Sequence, residues 1–279
     1  MGFCIYNGKI IDAGECFISP NSRGFRFGDG IFETIKCRQN QVLFVEEHFN
    51  RLLNGLKVLQ FDRPKKFTAQ NLGYDIQKLL KKNGHQKMAR VRVTVFRGDR
   101  GLFDTVNQKP NYLIQSWALP AKTGEWNSNG LLLGIYGDVK KSQDILCNLK
   151  HNNFLPYVMA ALYCKKQKWN DAIILNTDGR ICETSIANIF LIKNNIVYTP
   201  GLDEGCIAGI MRMHIITTLV ANKVQVVQTK ISLQVLMGAD EVFLSNSIYN
   251  IRWVQSIGEK KYGNSFTQKI YSILAPTIL

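Results

Sequence analysis

Residues 181–212 read ICETSIANIFLIKNNIVYTPGLDEGCIAGIMR, and the reading of this stretch decides the fold. Asn188–Ile192 and Ile196–Thr199 are short runs rich in β-branched and aromatic residues, with turn chemistry at Lys193-Asn194-Asn195 between them. Pro200 and Gly201 break that pattern, and Gly205–Arg212 leads into an apolar helical run through Leu219. One carboxylate, Glu183, stands just ahead of the first run. The stretch therefore offers an acid at a strand entrance and a glycine-punctuated helix start. Free backbone N–H groups at a helix start suit a phosphate.

Working outward, the chain alternates strand and helix signals. Asn7-Gly8 between Phe3–Tyr6 and Lys9–Ile11 is a hairpin signal. Ser19–Gly30 reads as a loop, Ile31–Cys37 and Val42–Val45 as strands, and Glu46–Leu59 as a helix with apolar residues at helical spacing. Thr68 is placed to cap a second helix running to about Lys82. Ala89, Val91, Val93 and Val95 alternate with Arg90, Arg92 and Thr94, which is a strand with one apolar face. The polar, turn-rich segment 120–129 separates a small N-terminal α+β domain, 1–119, from a larger C-terminal one, 130–279.

The 279 residues are 46% hydrophobic, enough for real cores, and no apolar run reaches membrane-spanning length. The start has no basic n-region and long apolar h-region, so a cytoplasmic protein is expected. Seven cysteines and four histidines are scattered without a CxxC pair, which points to reduced thiols and no metal site. The net charge of +14 favours an anionic partner. Its lysines come in short clusters rather than one stripe interleaved with aromatics, which argues against nucleic acid.

GxGxxG after a strand, GxxxxGK[ST], HExxH and GxSxG are all missing from the sequence. Lys150 is conspicuous in ILCNLKHNNFLPYVMAAL, with apolar residues on both sides. Such a lysine either snorkels to solvent or has a lowered pKa and acts as a nucleophile.

Glu183-x-Ser185-x-x-Asn188-Ile-Phe190, then Val197-Tyr-Thr199, then Ile207-Ala-Gly209-Ile-Met-Arg212 resembles the signature of the class IV aminotransferases. These are the fold type IV enzymes of pyridoxal 5′-phosphate (PLP). Arg26–Thr34, His48-Phe-Asn-Arg51-Leu, Leu149–Pro156 and Glu241–Ser247 resemble further family segments, in order along the chain. The resemblance implies a two-domain α+β fold similar to D-amino acid aminotransferase, with PLP at the domain interface and a homodimer. It implies that Lys150 forms the Schiff base and that Glu183 holds the protonated pyridine nitrogen. Arg51, Gly209, Ile210, Met211, Asn246 and Ser247 would hold the phosphate end, and Thr34 and Arg92 would lie near the substrate.

Among family activities the resemblance leans to 4-amino-4-deoxychorismate lyase, which releases 4-aminobenzoate and pyruvate. The cues are Gly30–Thr34, the region Phe103-Asp104…Gln108-Lys-Pro110, and Ser245-Asn-Ser247. The Arg-x-His trap of the D-amino acid enzymes is missing from Phe96–Phe103, and Leu155 stands where branched-chain enzymes usually carry tyrosine. The alternatives are transamination of branched-chain or other amino acids with 2-oxoglutarate and, more remotely, a non-catalytic binding module.

Overall fold

Asn7 and Gly8 both adopt positive φ, 48° and 82°, and so close β1 (Phe3–Tyr6) tightly on β2 (Lys9–Asp12). The structure is a computed structural model and describes residues 2–62, 64–65, 67–99, 101 and 108–278. It divides into two units. The first comprises Met1–Thr123 with Leu149–Asn153, and the second Gly124–Asn148 with Phe154–Leu279. The Lys150 segment lies with the first unit.

The first unit continues with α1 (Arg23–Phe27), β3 (Gly30–Arg38), β4 (Gln41–Val42), α2 (Val45–Val58), α3 (Ala69–Asn83), β5 (Met88–Arg97) and β6 (Pro110–Ala118). The loop expected over 19–30 thus contains one short helix. Among the described residues its six strands order β2-β1-β6-β5-β3-β4. The alternation in β5 works as the sequence implies. Val91, Val93 and Val95 face α2 and α3 in one apolar core with Ile35, Leu52, Ile76 and Leu79. The Thr68 hydroxyl accepts from the Asn71 N–H at 3.2 Å and caps α3.

The second unit holds β7 (Leu131–Lys141), α4 (Leu155–Gln167), β8 (Asp171–Asn176), β9 (Ile181–Thr184), β10 (Asn188–Lys193), β11 (Ile196–Pro200), α5 (Ile210–Ala221), β12 (Val226–Thr229), α6 (Leu233–Met237), β13 (Glu241–Asn246), β14 (Asn250–Ile257), β15 (Lys260–Lys261) and α7 (Ser265–Ile278). Strand order is β12-β11-β10-β13-β14-β7-β8-β9, with β15 on β14. The expected hairpin is β10–β11, turned by Asn194 and Asn195 at φ 51° and 62°. Every residue of β8 is buried, which accounts for its unbroken apolar run beside the parallel strand β7. Two register breaks lie on β8, one on each side. β7 bulges between Tyr136 and Lys140 against β8, and β8 shifts between Ile174 and Leu175 against β9. Such breaks re-aim side chains. Among the described residues, no helix is long and apolar enough to cross a membrane.

Candidate active site

Glu183 does not stand at a strand entrance. It lies within its own short strand, β9, opposite Ile174 of β8, and is 2% exposed. Tyr157 of α4 donates its hydroxyl to Glu183 Oε1 at 2.6 Å. The Ile207 N–H donates to Oε2 at 3.0 Å. Lys141 Nζ lies 3.6 Å from Oε1. Burial, reinforced by the Glu183 charge, pushes the Tyr157 phenol far up, so it remains a neutral donor. Cys206 beside this carboxylate is likewise pushed up, to about 12, chiefly by burial.

Ile207 also links the acid to the helix start. Two residues later Gly209 is the N-cap of α5, in extended conformation and with no side chain capping the helix. A Cβ on Gly209 would lie 2.0 Å from Asn188 Oδ1, so only glycine fits beside that carboxamide. Asn188 is pinned in turn, donating Nδ2 to the Ile207 carbonyl at 2.9 Å. Arg212 donates to the Pro200 carbonyl and to Gln228 Oε1, both at 2.8 Å, and anchors α5 to β11 and β12. Thr199 donates to the Ile189 carbonyl at 2.8 Å and Ser185 to Asp171 Oδ1 at 2.5 Å. Much of the signature is thus scaffold around Glu183 and the uncapped start of α5.

The loop after β13 is shaped by Asn246. Its Oδ1 accepts from the Ile248 and Tyr249 N–H groups at 3.0 and 2.8 Å, and its Nδ2 donates to the Ile186 carbonyl at 3.2 Å. The Asn246 side chain is therefore spent on the turn, and Ser247 follows it, half-buried.

In the first unit, the Lys150 carbonyl accepts from the Phe32 N–H at 2.8 Å and the Asn152 N–H donates to the Gly30 carbonyl at 2.9 Å. This ties the lysine segment to the edge of β3. Lys150 Nζ lies 4.5 Å from the centre of the Phe32 ring, and the Arg92 guanidinium lies 3.7 Å from it. Thr34 pairs with Arg92 across β3 and β5. Lys150, Phe32, Thr34 and Arg92 thus come together. Phe32 went unassigned from sequence, where an aromatic in a strand reads as core. Lys36 follows on the same strand, buried, and burial with Arg38 nearby lowers it to about 8.

Arg51 is engaged locally. Its Nε and Nη2 donate to Glu33 Oε1 and Oε2 at 2.7 and 2.5 Å, and His48 Nδ1 lies 2.7 Å from Oε2. Burial raises the Glu33 carboxyl, but the Arg51 charge and the His48 contact outweigh it and hold the group at about 2. The segments RFGDGIFET and HFNRL both carry these residues in sequence, yet only the fold shows them as a triad. Lys141 and Tyr157 had no readable signal, because nine and seven residues separate them from Lys150 with no periodicity to relate them. Phe103 and Asp104, among the lyase cues, lie outside the described residues.

The donor set suits a heteroaromatic phosphate. A buried carboxylate matches a protonated ring nitrogen, and an uncapped helix start with a glycine cap matches a phosphate. Among the described residues no cluster of histidine, cysteine and carboxylate side chains suits a metal ion. The sequence profile of the family described as Amino-transferase class IV matches residues 30–257. The aminodeoxychorismate lyase of Vibrio harveyi is 30% identical over 245 residues, covering 87% of this chain and 88% of its own length. The D-alanine aminotransferase of Bacillus licheniformis is 23% identical, covering 99% and 96%. Among solved structures, the branched-chain amino acid aminotransferase of Escherichia coli superposes with a TM-score of 0.89 at 21% identity, covering 99% and 94%. Another branched-chain enzyme of this fold was solved with pyridoxamine 5′-phosphate. The fold is that of the fold type IV PLP enzymes.

Proposed function

The chain belongs to the class IV aminotransferase family, and on that premise we propose that it is a PLP-dependent 4-amino-4-deoxychorismate lyase. The observation carrying the cofactor reading is the buried Glu183 joined through Ile207 to the uncapped start of α5. When bound, the cofactor supplies an aldehyde for imine formation and an electron-withdrawing pyridine. Lys150 provides the amine for covalent attachment and, once released, the base that holds the substrate Cα proton. Glu183 accepts the ring N–H. The backbone at Gly209, Ile210 and Met211 holds the phosphate, aided by Ser247, by the loop that Asn246 shapes, and by Arg51 through the charge it shares with Glu33. Thr34 and Arg92, beside Phe32, take the substrate carboxylate.

The lyase reading is supported by the Vibrio harveyi relative and by the motif Gly30–Thr34. Aminotransferase relatives, together with the Arg92 cation on the same Phe32 ring that Lys150 approaches, support transamination with 2-oxoglutarate as the second reading. Both begin with loss of the same proton. A cytoplasmic homodimer acting on a small amino acid or carboxylate completes the reading. Leu155, Val158, Met159 and Leu162 form an exposed apolar stripe on α4 that a second copy would cover. Light scattering at micromolar concentration reads the dimer directly.

A paired assay decides the activity. One arm measures 4-aminobenzoate and pyruvate from 4-amino-4-deoxychorismate, the other glutamate from 2-oxoglutarate with leucine, valine or D-alanine. Product in the first arm is expected. Rapid turnover confined to the second arm replaces the lyase by a transaminase. A protein that takes up no PLP, and leaves no borohydride-fixed label on Lys150, ends the cofactor reading.

A further inference from the structure

We propose that Lys141 is a positioning residue for Glu183, keeping that carboxylate ionised and fixed in place; as a device for cofactor binding, the proposal rests on the PLP reading above. Lys141 is 5% exposed at the end of β7, and its neighbour Lys140 is exposed. The β7 bulge produces this difference, because it resets the register so that Lys141 lies opposite the buried Asn176. The ammonium donates to the Cys147 carbonyl at 3.1 Å, stands 3.6 Å from Glu183 Oε1, and lies 5.2 Å from the centre of the Tyr157 ring. A lysine buried this deeply is costly unless it is paired.

The ammonium of Lys141 stands out among the described neighbours of Glu183. Tyr157 is a neutral donor, and Cys182 and Cys206 are thiols pushed up by burial, so neither brings positive charge. Arg212 is a second cation within electrostatic range, its Nη2 held by the Pro200 carbonyl and Gln228 Oε1, whereas Lys141 stands 3.6 Å from the carboxylate itself. Burial favours the protonated acid, and a nearby ammonium favours the carboxylate. A protonated Glu183 could not accept the proton of a ring nitrogen. Lys141 therefore prepares the acid before any cofactor arrives. The β7 break turns the lysine inward and the β8–β9 shift accompanies Glu183, so both partners are set by irregular strands.

Lys141→Met keeps most of the aliphatic stem and removes the charge, Lys141→Gln is a second neutral form, and Lys141→Arg restores the charge. The first measurement uses apoprotein near pH 7 and the infrared carbonyl stretch of a protonated carboxylic acid. Folded Lys141→Met and Lys141→Gln proteins are expected to show a new band that disappears when Glu183→Gln is added, while wild type and Lys141→Arg show none. The second measures PLP affinity by fluorescence titration, with an expected loss of about tenfold in the neutral variants and substantial recovery in Lys141→Arg. No new band in either neutral variant overturns the proposal, whatever PLP does. A new band with unchanged PLP affinity overturns the cofactor half. Wild type without PLP binding removes the PLP reading and leaves the infrared result to judge the Lys141–Glu183 pair.

Discussion

Glu33 and Glu183 are both buried carboxylates, 1% and 2% exposed, yet they are held in contrasting ways. Glu33 in the first unit meets a two-pronged guanidinium from Arg51 and the ring of His48. Its charge is balanced where it sits, and it locks β3 to α2. Glu183 in the second unit meets a phenol and a backbone N–H, with an ammonium at 3.6 Å rather than at hydrogen-bond distance. Burial alone therefore does not mark a functional acid. The chemistry of its partners does, because a carboxylate saturated by arginine has little left for a ligand, whereas one held by neutral donors can still bind a cation.

The contrast is open to attack by substitution. The largest effect is expected from Glu33→Gln, which removes the buried carboxylate that the half-buried Arg51 fork and His48 both contact, and costs about 4 kcal/mol of stability in urea unfolding. Activity per folded molecule should fall less than in the Glu183 variant, because Arg51 itself remains in place. Glu183→Gln is the reverse case. On the proposed function it weakens the hydrogen bond that Glu183 would make to the cofactor by about 3 kcal/mol, so turnover is expected to fall roughly 100-fold with a smaller change in the urea midpoint. If the two variants exchange these phenotypes, the assignment of scaffold and site is inverted.

The acid limb sharpens the comparison. Glu33 is held at about 2 against an ordinary 4.5, so its folded value lies below its unfolded one. Its contribution is present above the unfolded value and is lost as pH falls from about 4.5 through about 2. Stability should drop by about 3 kcal/mol across that window, and Glu33→Gln should flatten the drop. The smallest effect is expected at Tyr157→Phe. Loss of a single neutral hydrogen bond to Glu183 costs about 1 kcal/mol in unfolding, with Lys141 left in place to keep the acid charged. A loss equal to that of Glu33→Gln would show that the Tyr157 hydrogen bond, not the Lys141 charge, is what chiefly holds Glu183.

Local pattern was enough for several elements. The alternation of β5, the cap at Thr68 and the asparagine turn between β10 and β11 are visible in sequence because each depends on neighbours within a few residues. The family signature was legible for a related reason. Ser185, Asn188, Thr199, Gly209 and Arg212 secure one local corner, where each residue type has a specific partner and little freedom to vary. The placement of Glu183 inside β9 was not legible, since a four-residue strand after a turn carries too few residues for a period to appear.

By itself the sequence determined the α+β character and the family, because these rest on short-range pattern and residue chemistry. Only the tertiary structure decided which buried charges pair. Glu33 with Arg51 and His48, and Glu183 with Lys141 and Tyr157, are joined across 15 to 42 residues. Such pairing depends on helix packing and on strand register, down to the bulge that turns Lys141 inward while Lys140 faces solvent. A one-residue change of register exchanges those two lysines, and nothing in the local sequence distinguishes them.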